Sequence, residues 1–285
     1  MIWMKRNAYE ESTIRKVADL LRRLQKNCNI NDPEAVKLYI AKKKCSNGYK
    51  ENLTEAYAIH MRSMNRAWNQ PFYRRYDKKR RAPKEELINF IIEHAKFPMN
   101  FKLSMSKDLG QRPIELTWLK VKDIDLSTGL VSITGAKHTV GRDGKLKPRT
   151  LDLLKRYITT RKLNSESIIF EKMTSDAFSN CYRHTRNTIA KHHNRPELKQ
   201  VQLYDFRRHK ASKTYHLTGK LLIVKELLGH KDIRSTERYI SLFDEMNITW
   251  IPVVAETEEE IKQAIQDDCI LVCQANGKTY FKKPA

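Results

Sequence analysis

The sequence predicts a mostly α fold with a small β-sheet, an α+β class, divided between an N-terminal helical domain and a larger mixed domain. Apolar residues recur at helical spacing through most of the 285 residues. A basic segment without such periodicity interrupts this pattern at residues 69–84, and strand-type alternation is confined to a few short stretches. A chain of this length can bury two cores when a linker separates them.

Residues 1–68 are predicted to form a small all-α domain. The first helix covers residues 12–28, and a second starts at Asp32-Pro33, an N-cap residue followed by proline at the first helical position. A third helix follows Gly48. The apolar residues that recur at helical spacing in these segments are Ile14, Val17, Leu21, Leu24, Val36, Tyr39, Ile40, Leu53, Ala56, Tyr57, Met61 and Met64. We expect them to form the core of this domain.

Residues 69–84 are predicted to be a basic linker. Most charge runs are solvated surface. In a chain with a formal net charge of +22, however, a basic run between two patterned regions favours contact with phosphates. The candidate DNA-binding residues in the linker are Arg74, Arg75, Lys78, Lys79, Arg80 and Arg81.

Residues 85–247 are predicted to form the larger, mixed domain. Leu130 to Thr134 alternates as a strand, and Arg142-Asp143-Gly144 is a turn signal that should lead to a second short strand near Arg149 to Leu153. The rest of this region is mostly helical. Predicted helices start after Pro83 and include Ser175 to Lys191 and Lys220 to Leu228, with Gly229 as the C-terminal cap of the last.

The tail, residues 248–285, is predicted to form a strand, a helix and a hairpin. A strand at Ile251 to Ala255 precedes a capping-box pattern, Thr257-Glu258-Glu259-Glu260, which marks the start of a helix. A second strand at Ile270 to Cys273 and the turn Asn276-Gly277 then indicate a hairpin. Such a unit either completes the larger domain or docks onto a neighbouring copy of the chain.

The charge of the chain indicates a polyanionic partner. The formal net charge of +22 and the pI of about 9.8 favour nucleic acid through counterion release. An anionic membrane surface could use the same charge, but no apolar run approaches the roughly 18 residues of a spanning helix. The N-terminal Met-Ile-Trp-Met stretch is too short for a signal peptide. We therefore expect an intracellular, cytoplasmic protein associated with the nucleoid.

Three motifs in the second half of the chain carry a family resemblance. They are Leu203-Tyr204-Asp205-Phe206-Arg207-Arg208-His209, Leu227-Leu228-Gly229-His230 and Arg238-Tyr239. In order and spacing they resemble the tyrosine recombinases of the phage-integrase type, whose second catalytic arginine is followed by a Leu-Gly-His turn and then by a nucleophilic tyrosine. His230 and Tyr239 are nine positions apart, which matches the spacing typical of that family.

A further motif upstream strengthens the resemblance, which spans roughly residues 83–243. Gly110-Gln111-Arg112-Pro113-Ile114-Glu115-Leu116 is similar to the box that holds the family's first arginine, with Glu115 at the supporting acidic position. Lys137 follows the strand Leu130 to Thr134 and is similar to the family's hairpin lysine. The resemblance thus implies a helical core-binding domain at residues 1–68 and a tyrosine-recombinase catalytic domain at residues 85–247, which clamp duplex DNA with the linker along the backbone.

The resemblance implies a role for each of these residues. Arg112 and Arg207 would stabilise charge on the oxygens of a scissile phosphate, and Tyr239 would attack its phosphorus. Lys137 would protonate the departing 5′-oxygen, with Lys145 and Lys147 as alternatives. His230 would donate a hydrogen bond to the phosphate or the nucleophile. The phosphotyrosyl ester keeps the bond energy, so the reaction needs neither ATP nor, in this family, a metal or other cofactor.

One position departs from the family pattern. Tyr204 stands where the family usually has a histidine, three residues before Arg207 and so on the same helix face. Tyrosine can hydrogen-bond a phosphate but is a poor base near neutral pH. His209 should not replace the missing histidine, because it lies on a different side of the helix. Some archaeal integrases are similar to this chain in lacking that histidine and in their C-terminal tail.

The function implied is that of a site-specific DNA recombinase or integrase, which cuts and rejoins DNA through a 3′-phosphotyrosyl intermediate. Its partners would be double-stranded DNA and further copies of the chain, as a tetramer in the synapse. Two alternatives are a type IB topoisomerase, which uses similar chemistry to relax supercoils, and a non-catalytic DNA-binding protein that keeps the fold. The substitution at Tyr204 is the sequence feature that favours the last of these.

Overall fold

A computed structural model of the chain describes residues 1–75, 82–136, 139–171, 173–240, 250–267 and 269–284, without the side chains of residues 238–240, 250, 266 and 284. The chain divides into two compact units, Met1–Lys78 and Lys79–Ala285. Both contain helices, and the second also contains two small antiparallel sheets. This composition confirms the predicted mostly α, α+β class.

The N-terminal unit is a bundle of helices around one apolar core. Its helices are α1 (Ile2–Arg6), α2 (Glu11–Gln25), α3 (Pro33–Lys42) and α4 (Asn47–Ser63). The Asp32 side chain accepts hydrogen bonds from the backbone N–H groups of Glu34 and Ala35, as the predicted N-cap requires. Tyr57 is buried in the core, and its hydroxyl donates to the carbonyl of Ile30 at 2.9 Å.

The prediction that Met64 belongs to this core is wrong. Helix α4 ends at Ser63, and the chain reverses at Asn65, which has a φ of 54°. Met64 therefore lies beyond the last helical turn, with 40% of its surface exposed. The other apolar residues of the predicted helical faces are buried or pack against the core.

The second unit begins with a largely helical body. Its helices are α5 (Glu85–His94), α6 (Met99–Leu109), α7 (Pro113–Trp118), α8 (Pro148–Arg161), α9 (Ser175–His192), α10 (Asp205–Thr218), α11 (Leu221–Leu228) and α12 (Arg234–Ile240). Short 3₁₀ turns occupy Val121–Asp123 and Pro196–Gln200. Aromatic residues such as Phe101, Phe178 and Phe206 fill the core shared by α5 to α10, and α11 packs against α10 in a smaller cluster. This body supplies the rigid elements on which the candidate site residues lie.

A two-stranded sheet in this body corrects two predictions. Strand β1 (Leu130–Ile133) pairs in antiparallel fashion with β2 (Arg142–Lys145), so the segment read as a turn is a strand. Gly144 serves a close approach rather than a turn, because a Cβ there would lie 2.8 Å from Leu109 Cδ2 of α6. The strand predicted near Arg149 to Leu153 is instead the start of α8.

The segment that starts α8 is helical because of its proline and the spacing of its apolar residues. Pro148 stands at the first helical position, where its missing N–H costs nothing. Leu151, Leu154 and Tyr157 then recur every three residues and are buried on one face. The helical spacing therefore outweighs the local turn signal that suggested a hairpin.

The tail forms a small sheet with one helix, as predicted. Strand β3 (Trp250–Ala255), helix α13 (Glu258–Gln266), strand β4 (Ile270–Ala275) and strand β5 (Lys278–Pro284) follow in this order, and the sheet order is β3-β5-β4. Thr257 and Glu260 make the reciprocal hydrogen bonds of a capping box. Asn276 and Gly277 both have positive φ, which is the conformation of a two-residue hairpin turn.

In the part of the chain that the structure describes, no helix is both long and apolar enough to cross a membrane.

Candidate active site

Arg112 is held by the local geometry at the start of α7. Gly110 ends α6 with a φ of 61°, and Arg112 is the N-cap residue of α7. Glu115, in the first turn of α7, accepts hydrogen bonds from both the backbone N–H and the Nη1 of Arg112, each at 2.8 Å. The arginine side chain is 14% exposed and also donates to Thr139 Oγ1 at 3.3 Å. Its guanidinium is therefore fixed in place but still accessible.

Glu115 is buried and accepts hydrogen bonds from several residues in this part of the site. Its side chain has no exposed surface, and besides Arg112 it accepts hydrogen bonds from Arg142 Nη2 at 2.7 Å and from the Ala136 N–H at 3.3 Å. Burial alone would raise the pKa of Glu115, but the hydrogen bond and positive charge of Arg142 and the hydrogen bonds from Arg112 outweigh burial and lower the pKa. The carboxylate is thus ionised and has its oxygens fully used.

Arg207 connects two helix ends. Its side chain on α10 is 1% exposed, and Nη1 donates to the Gly110 carbonyl at 2.7 Å while Nη2 donates to the Leu228 carbonyl at 2.6 Å. These carbonyls lie at the C-terminal ends of α6 and α11, where the helix dipole favours a cation. Arg207 therefore joins the segment that precedes Arg112 to the segment that precedes His230.

His230 follows Gly229, the predicted C-cap, which has a φ of 64°. Its Nε2 lies 3.3 Å from Arg207 Nη2, and its Nδ1 lies 2.9 Å from Thr236 Oγ1. Burial, and then the charges of Arg207 and the neighbouring arginines, lower the pKa of His230 to about 4. Since a guanidinium can only donate, Nε2 accepts and Nδ1 carries the proton given to Thr236. The predicted donation from His230 to a phosphate stays a prediction.

Thr236 links this arrangement to the helix of the predicted nucleophile. It is fully buried on α12 and lies one turn before Tyr239. The backbone of Tyr239 belongs to α12, but its side chain lies outside the described residues. The convergence of the tyrosine hydroxyl with the two arginines therefore stays a prediction.

Tyr204 lies at the N-cap position, just before the first residue of α10, and is half-buried. The Arg208 guanidinium lies over its ring, 5.5 Å from the centroid. Asp205, the next residue, is buried and accepts hydrogen bonds from the Gln202 N–H and from Arg208, both at 2.7 Å. The start of α10 is thus firmly held, and a role of Tyr204 in place of the usual histidine stays a prediction.

His209 belongs to a second cluster on another side of α10. It is buried, and its Nε2 lies 3.7 Å from Glu85, which also pairs with Lys107 at 2.6 Å and Lys213 at 2.8 Å. Burial lowers the pKa of His209 to about 4. This placement agrees with the expectation that His209 does not substitute for the histidine missing at position 204.

The remaining predicted site residues are basic and come from two stretches of the sequence, residues 74–81 and residues 137–147. Lys137 lies outside the described residues, as do Lys78, Lys79, Arg80 and Arg81 of the linker. Lys145 and Lys147, the alternatives to Lys137, are exposed. In the N-terminal unit, Arg75 forms an ion pair with Glu51, and the Arg74 carbonyl accepts a hydrogen bond from Asn47.

Sequence reasoning missed Arg142 and Thr236. Arg142 was assigned to a turn, although its place in strand β2, opposite Ile133, directs its side chain toward Glu115. A strand pairing of residues 130–133 with 142–145 would have revealed it. Thr236 could have been found from its position one helical turn before Tyr239.

The chain is similar in sequence to known integrases and recombinases. The model of the Phage integrase family matches residues 85–246. A probable integrase/recombinase protein of Methanocaldococcus jannaschii is 27% identical over 138 residues, which cover 46% of this chain and 42% of that protein. The chain thus spans less than half the length of that archaeal relative.

Two solved structures share the fold. The Tn1549 transposon integrase in complex with circular intermediate DNA superposes with a TM-score of 0.65 at 15% identity, over 92% of this chain and 96% of that one. A lambda integrase dimer bound to a core site gives a TM-score of 0.61 at 14% identity, over 85% and 76% of the two chains. The family model covers more than half of the chain and confirms the resemblance read from its motifs. The chain therefore belongs to the phage integrase family.

Proposed function

We propose that the protein is a site-specific DNA recombinase or integrase that cuts and rejoins DNA through a 3′-phosphotyrosyl intermediate. The observation that carries the proposal is the arrangement around Arg207. This buried guanidinium bonds the carbonyl two residues before Arg112 and also contacts His230, so that three widely separated motifs meet in one place. Family membership supports the same chemistry.

The proposed reaction is an in-line displacement at phosphorus. The phenol of Tyr239 gives up its proton to solvent, and its oxygen forms a bond to the phosphorus while the bond to the 5′-oxygen breaks. Lys137 gives a proton to that departing oxygen. Arg112 and Arg207 stabilise the charge that develops on the non-bridging oxygens. In the reverse step a 5′-hydroxyl gives its proton to Lys137 and attacks the phosphotyrosyl ester, and the released phenolate of Tyr239 takes a proton from solvent. His230, neutral at physiological pH, orients Arg207 and, through Thr236, helix α12.

Duplex DNA is the proposed substrate and partner. The net charge of +22 favours a polyanion, and the basic run at residues 74–81 offers phosphate contacts. The Tn1549 and lambda integrases that share the fold are themselves bound to DNA. In this proposal residues 1–68 grip DNA, residues 69–84 follow the backbone as a linker, and residues 85–247 perform the chemistry.

We also propose that copies of the chain assemble on DNA, as a tetramer when two sites are joined. The tail, residues 248–285, either completes the catalytic domain or docks onto a neighbouring copy. Sedimentation of the full chain and of a chain ended after Phe243, each mixed with duplex DNA, separates the two versions. Docking predicts smaller complexes for the shortened chain, whereas complexes of the same stoichiometry would exclude it.

A trapped covalent adduct tests the proposed function. The protein is incubated with a pool of nicked duplexes of randomised sequence, in which cleavage releases a short strand and cannot be reversed. A protein–DNA species that survives denaturation should form and should vanish in Tyr239→Phe. Sequencing the trapped strands gives the cleaved site to the nucleotide.

The outcomes separate the three classes of function. Enrichment of one sequence among the trapped strands supports a recombinase. Adducts without sequence preference, with relaxation of supercoiled plasmid, would point to a type IB topoisomerase. DNA binding without any adduct would point to a non-catalytic protein that keeps the fold.

A further inference from the structure

Described residues on both sides of Lys137 in the sequence bind one buried carboxylate, that of Glu115. Ala136, directly before Lys137, donates its N–H to Glu115 Oε1 at 3.3 Å. Arg142, the first residue of β2 after the loop, donates Nη2 to Glu115 Oε2 at 2.7 Å. Since Glu115 also binds Arg112, the same carboxylate holds Ala136 and Arg142 close to the first arginine.

Arg142 is an unusual residue for this place. Its side chain is 5% exposed, and its Nε and Nη1 are buried without a hydrogen-bond partner among the residues that the structure describes. Burying donors of a guanidinium in this way is unfavourable unless another gain offsets it. A shorter or neutral side chain would avoid that cost, so the position of Arg142 points to a function.

The same side chain packs against the turn that leads to His230. A Cβ at Gly229 would lie 3.3 Å from Arg142 Cδ and Nη1, and 2.6 Å from the Val140 carbonyl. Val140, in the loop, donates its N–H to the Gly229 carbonyl at 3.1 Å. Arg142 therefore lies between Glu115 on one side and the Gly229 turn on the other.

We propose that Arg142 is a positioning residue for DNA cleavage, which holds residues 139–142, the described part of the loop that follows Lys137, between Glu115 and the Gly229 turn. The inference rests on the proposed function in one respect, the role of Lys137 as the acid that protonates the leaving 5′-oxygen. Arg142 acts through the loop and does not touch the phosphate. A displacement of the acid by about 1 Å is enough to slow such a step on the order of 100-fold.

The chemical test replaces the leaving oxygen by sulfur. A thiolate leaves without a proton, so a defect in positioning the acid disappears on a duplex with a bridging 5′-sulfur at the cleaved site. We expect Arg142→Gln to slow cleavage of ordinary DNA about 100-fold and to cleave the sulfur duplex within about threefold of the wild-type rate. Arg112→Gln should be slow on both, because its role is on the phosphate. If Arg142→Gln stays equally slow on the sulfur duplex, the proposal is wrong.

A matched control is Arg195→Gln, which also removes an arginine paired with carboxylates, Glu86 and Glu197, but outside the candidate site. It should cleave both duplexes at the wild-type rate. Arg142→Lys keeps the positive charge beside buried Glu115 and covers the case in which Arg142→Gln does not fold. It should show the same rescue by sulfur, because an ammonium cannot fill the space between Glu115 and Gly229.

Hydrogen exchange tests the positioning without any cleavage. In Arg142→Gln, or in Arg142→Lys if the former is unfolded, the Val140 amide should exchange at least about tenfold faster, while amides in the middle of α8 stay unchanged. Unchanged protection of Val140 would overturn the proposal. If the wild-type protein cleaves no duplex, the proposed function fails, and the exchange rates still decide whether Arg142 holds the loop.

Discussion

Helix α10 contributes to two buried polar clusters that contain similar groups and differ in their construction. Arg207 belongs to the cluster with Glu115, Arg112, Arg142 and His230, and His209, two residues along the helix, belongs to the cluster with Glu85. Each cluster has a carboxylate of lowered pKa and a histidine whose pKa burial lowers to about 4. A buried histidine near an acid therefore does not by itself identify a catalytic centre.

The cations distinguish the two clusters. Around Glu85 they are the ammonium groups of Lys107 and Lys213, on flexible side chains that only neutralise the acid. In the other cluster they are guanidiniums, and Arg207 is fixed to the carbonyl groups at two helix ends. Rigid, paired donors suit recognition of a phosphate, whereas the Glu85 cluster suits the joining of α5, α6 and α10. We expect catalysis to depend on the first cluster and acid stability to depend on the second.

Among these variants, we expect Arg112→Ala to reduce cleavage most, and so to separate the Arg207 cluster most clearly from the Glu85 cluster. It removes an accessible guanidinium and leaves the buried Arg207 in place, so cleavage should fall by about 10³-fold. DNA affinity should change by no more than a few-fold, because most phosphate contacts lie elsewhere. Adduct formation and a binding titration at one salt concentration measure the two effects. Equal losses of binding and cleavage would contradict a role in the chemistry.

A smaller catalytic effect is expected from Thr236→Val, which keeps the shape of the side chain and removes the hydroxyl. Loss of the hydrogen bond with His230 Nδ1 should cost about 1–2 kcal/mol, and cleavage should slow by about tenfold because α12 loses its connection to His230. Thr236→Ser keeps the hydroxyl and should cleave at nearly the wild-type rate. The comparison of these two variants in single-turnover adduct formation decides the role of Thr236.

The Glu85 cluster should influence stability and its pH dependence but not cleavage. Burial alone would raise the pKa of Glu85, but hydrogen bonds from Lys107 and Lys213 lower it to about 2. The contribution of Glu85 is therefore present above its unfolded pKa and is lost as the pH falls toward 2. We expect Glu85→Gln to lower the free energy of unfolding by about 2 kcal/mol near neutral pH, after allowance for solvent screening. Cleavage by the folded variant at pH 7 should match wild type.

His209 gives the same cluster a second pH dependence, at less acidic pH. Its folded-state pKa of about 4 lies below the ordinary value of 6.5. The unfolded chain therefore binds the proton first, and stability falls as the pH drops from about 6.5 toward 4. In His209→Gln the denaturation curves should show a flatter dependence in this window. His230 contributes a similar slope, so the wild-type dependence should be reduced and not abolished.

Removal of metal ions should change the rate of cleavage least of all. The proposed mechanism stabilises charge with guanidiniums and uses an amine as the acid, so cleavage in excess EDTA should proceed at an unchanged rate. Strong inhibition that Mg²⁺ reverses would mean that a metal, and not the arginine cluster, stabilises the transition state.

The sequence was most informative where one physical rule decides a local structure. The Asp32-Pro33 start of α3, the Gly229 cap and the capping box at Thr257 follow from the hydrogen-bonding needs of helix ends. The order of Arg112, Arg207 and His230 could be read from motifs. Two structural errors, the turn at Arg142-Asp143-Gly144 and the strand near Arg149, have one cause. The turn residues at 142–144 were given more weight than the pairing of residues 130–133 with residues 142–145.

The contacts within the site could not be predicted in this way. Nothing in the spacing of Glu115 and Arg142 shows that they meet, because their contact depends on the register of β1 with β2. The hydrogen bonds of His230 with Arg207 and Thr236 likewise depend on how α10, α11 and α12 pack. Residue types and order were therefore available from the sequence, while the hydrogen-bond network required the fold.

In the proposed mechanism, Tyr239 becomes joined to the 3′-phosphate of a cleaved strand beside Arg112 and Arg207. The most direct measurement is mass spectrometry of the trapped adduct after digestion with nuclease and protease. We predict a nucleotide remnant, linked through its 3′-phosphate, on the peptide that contains Tyr239. A remnant on another residue, such as Tyr204, or a linkage through a 5′-phosphate would contradict this mechanism.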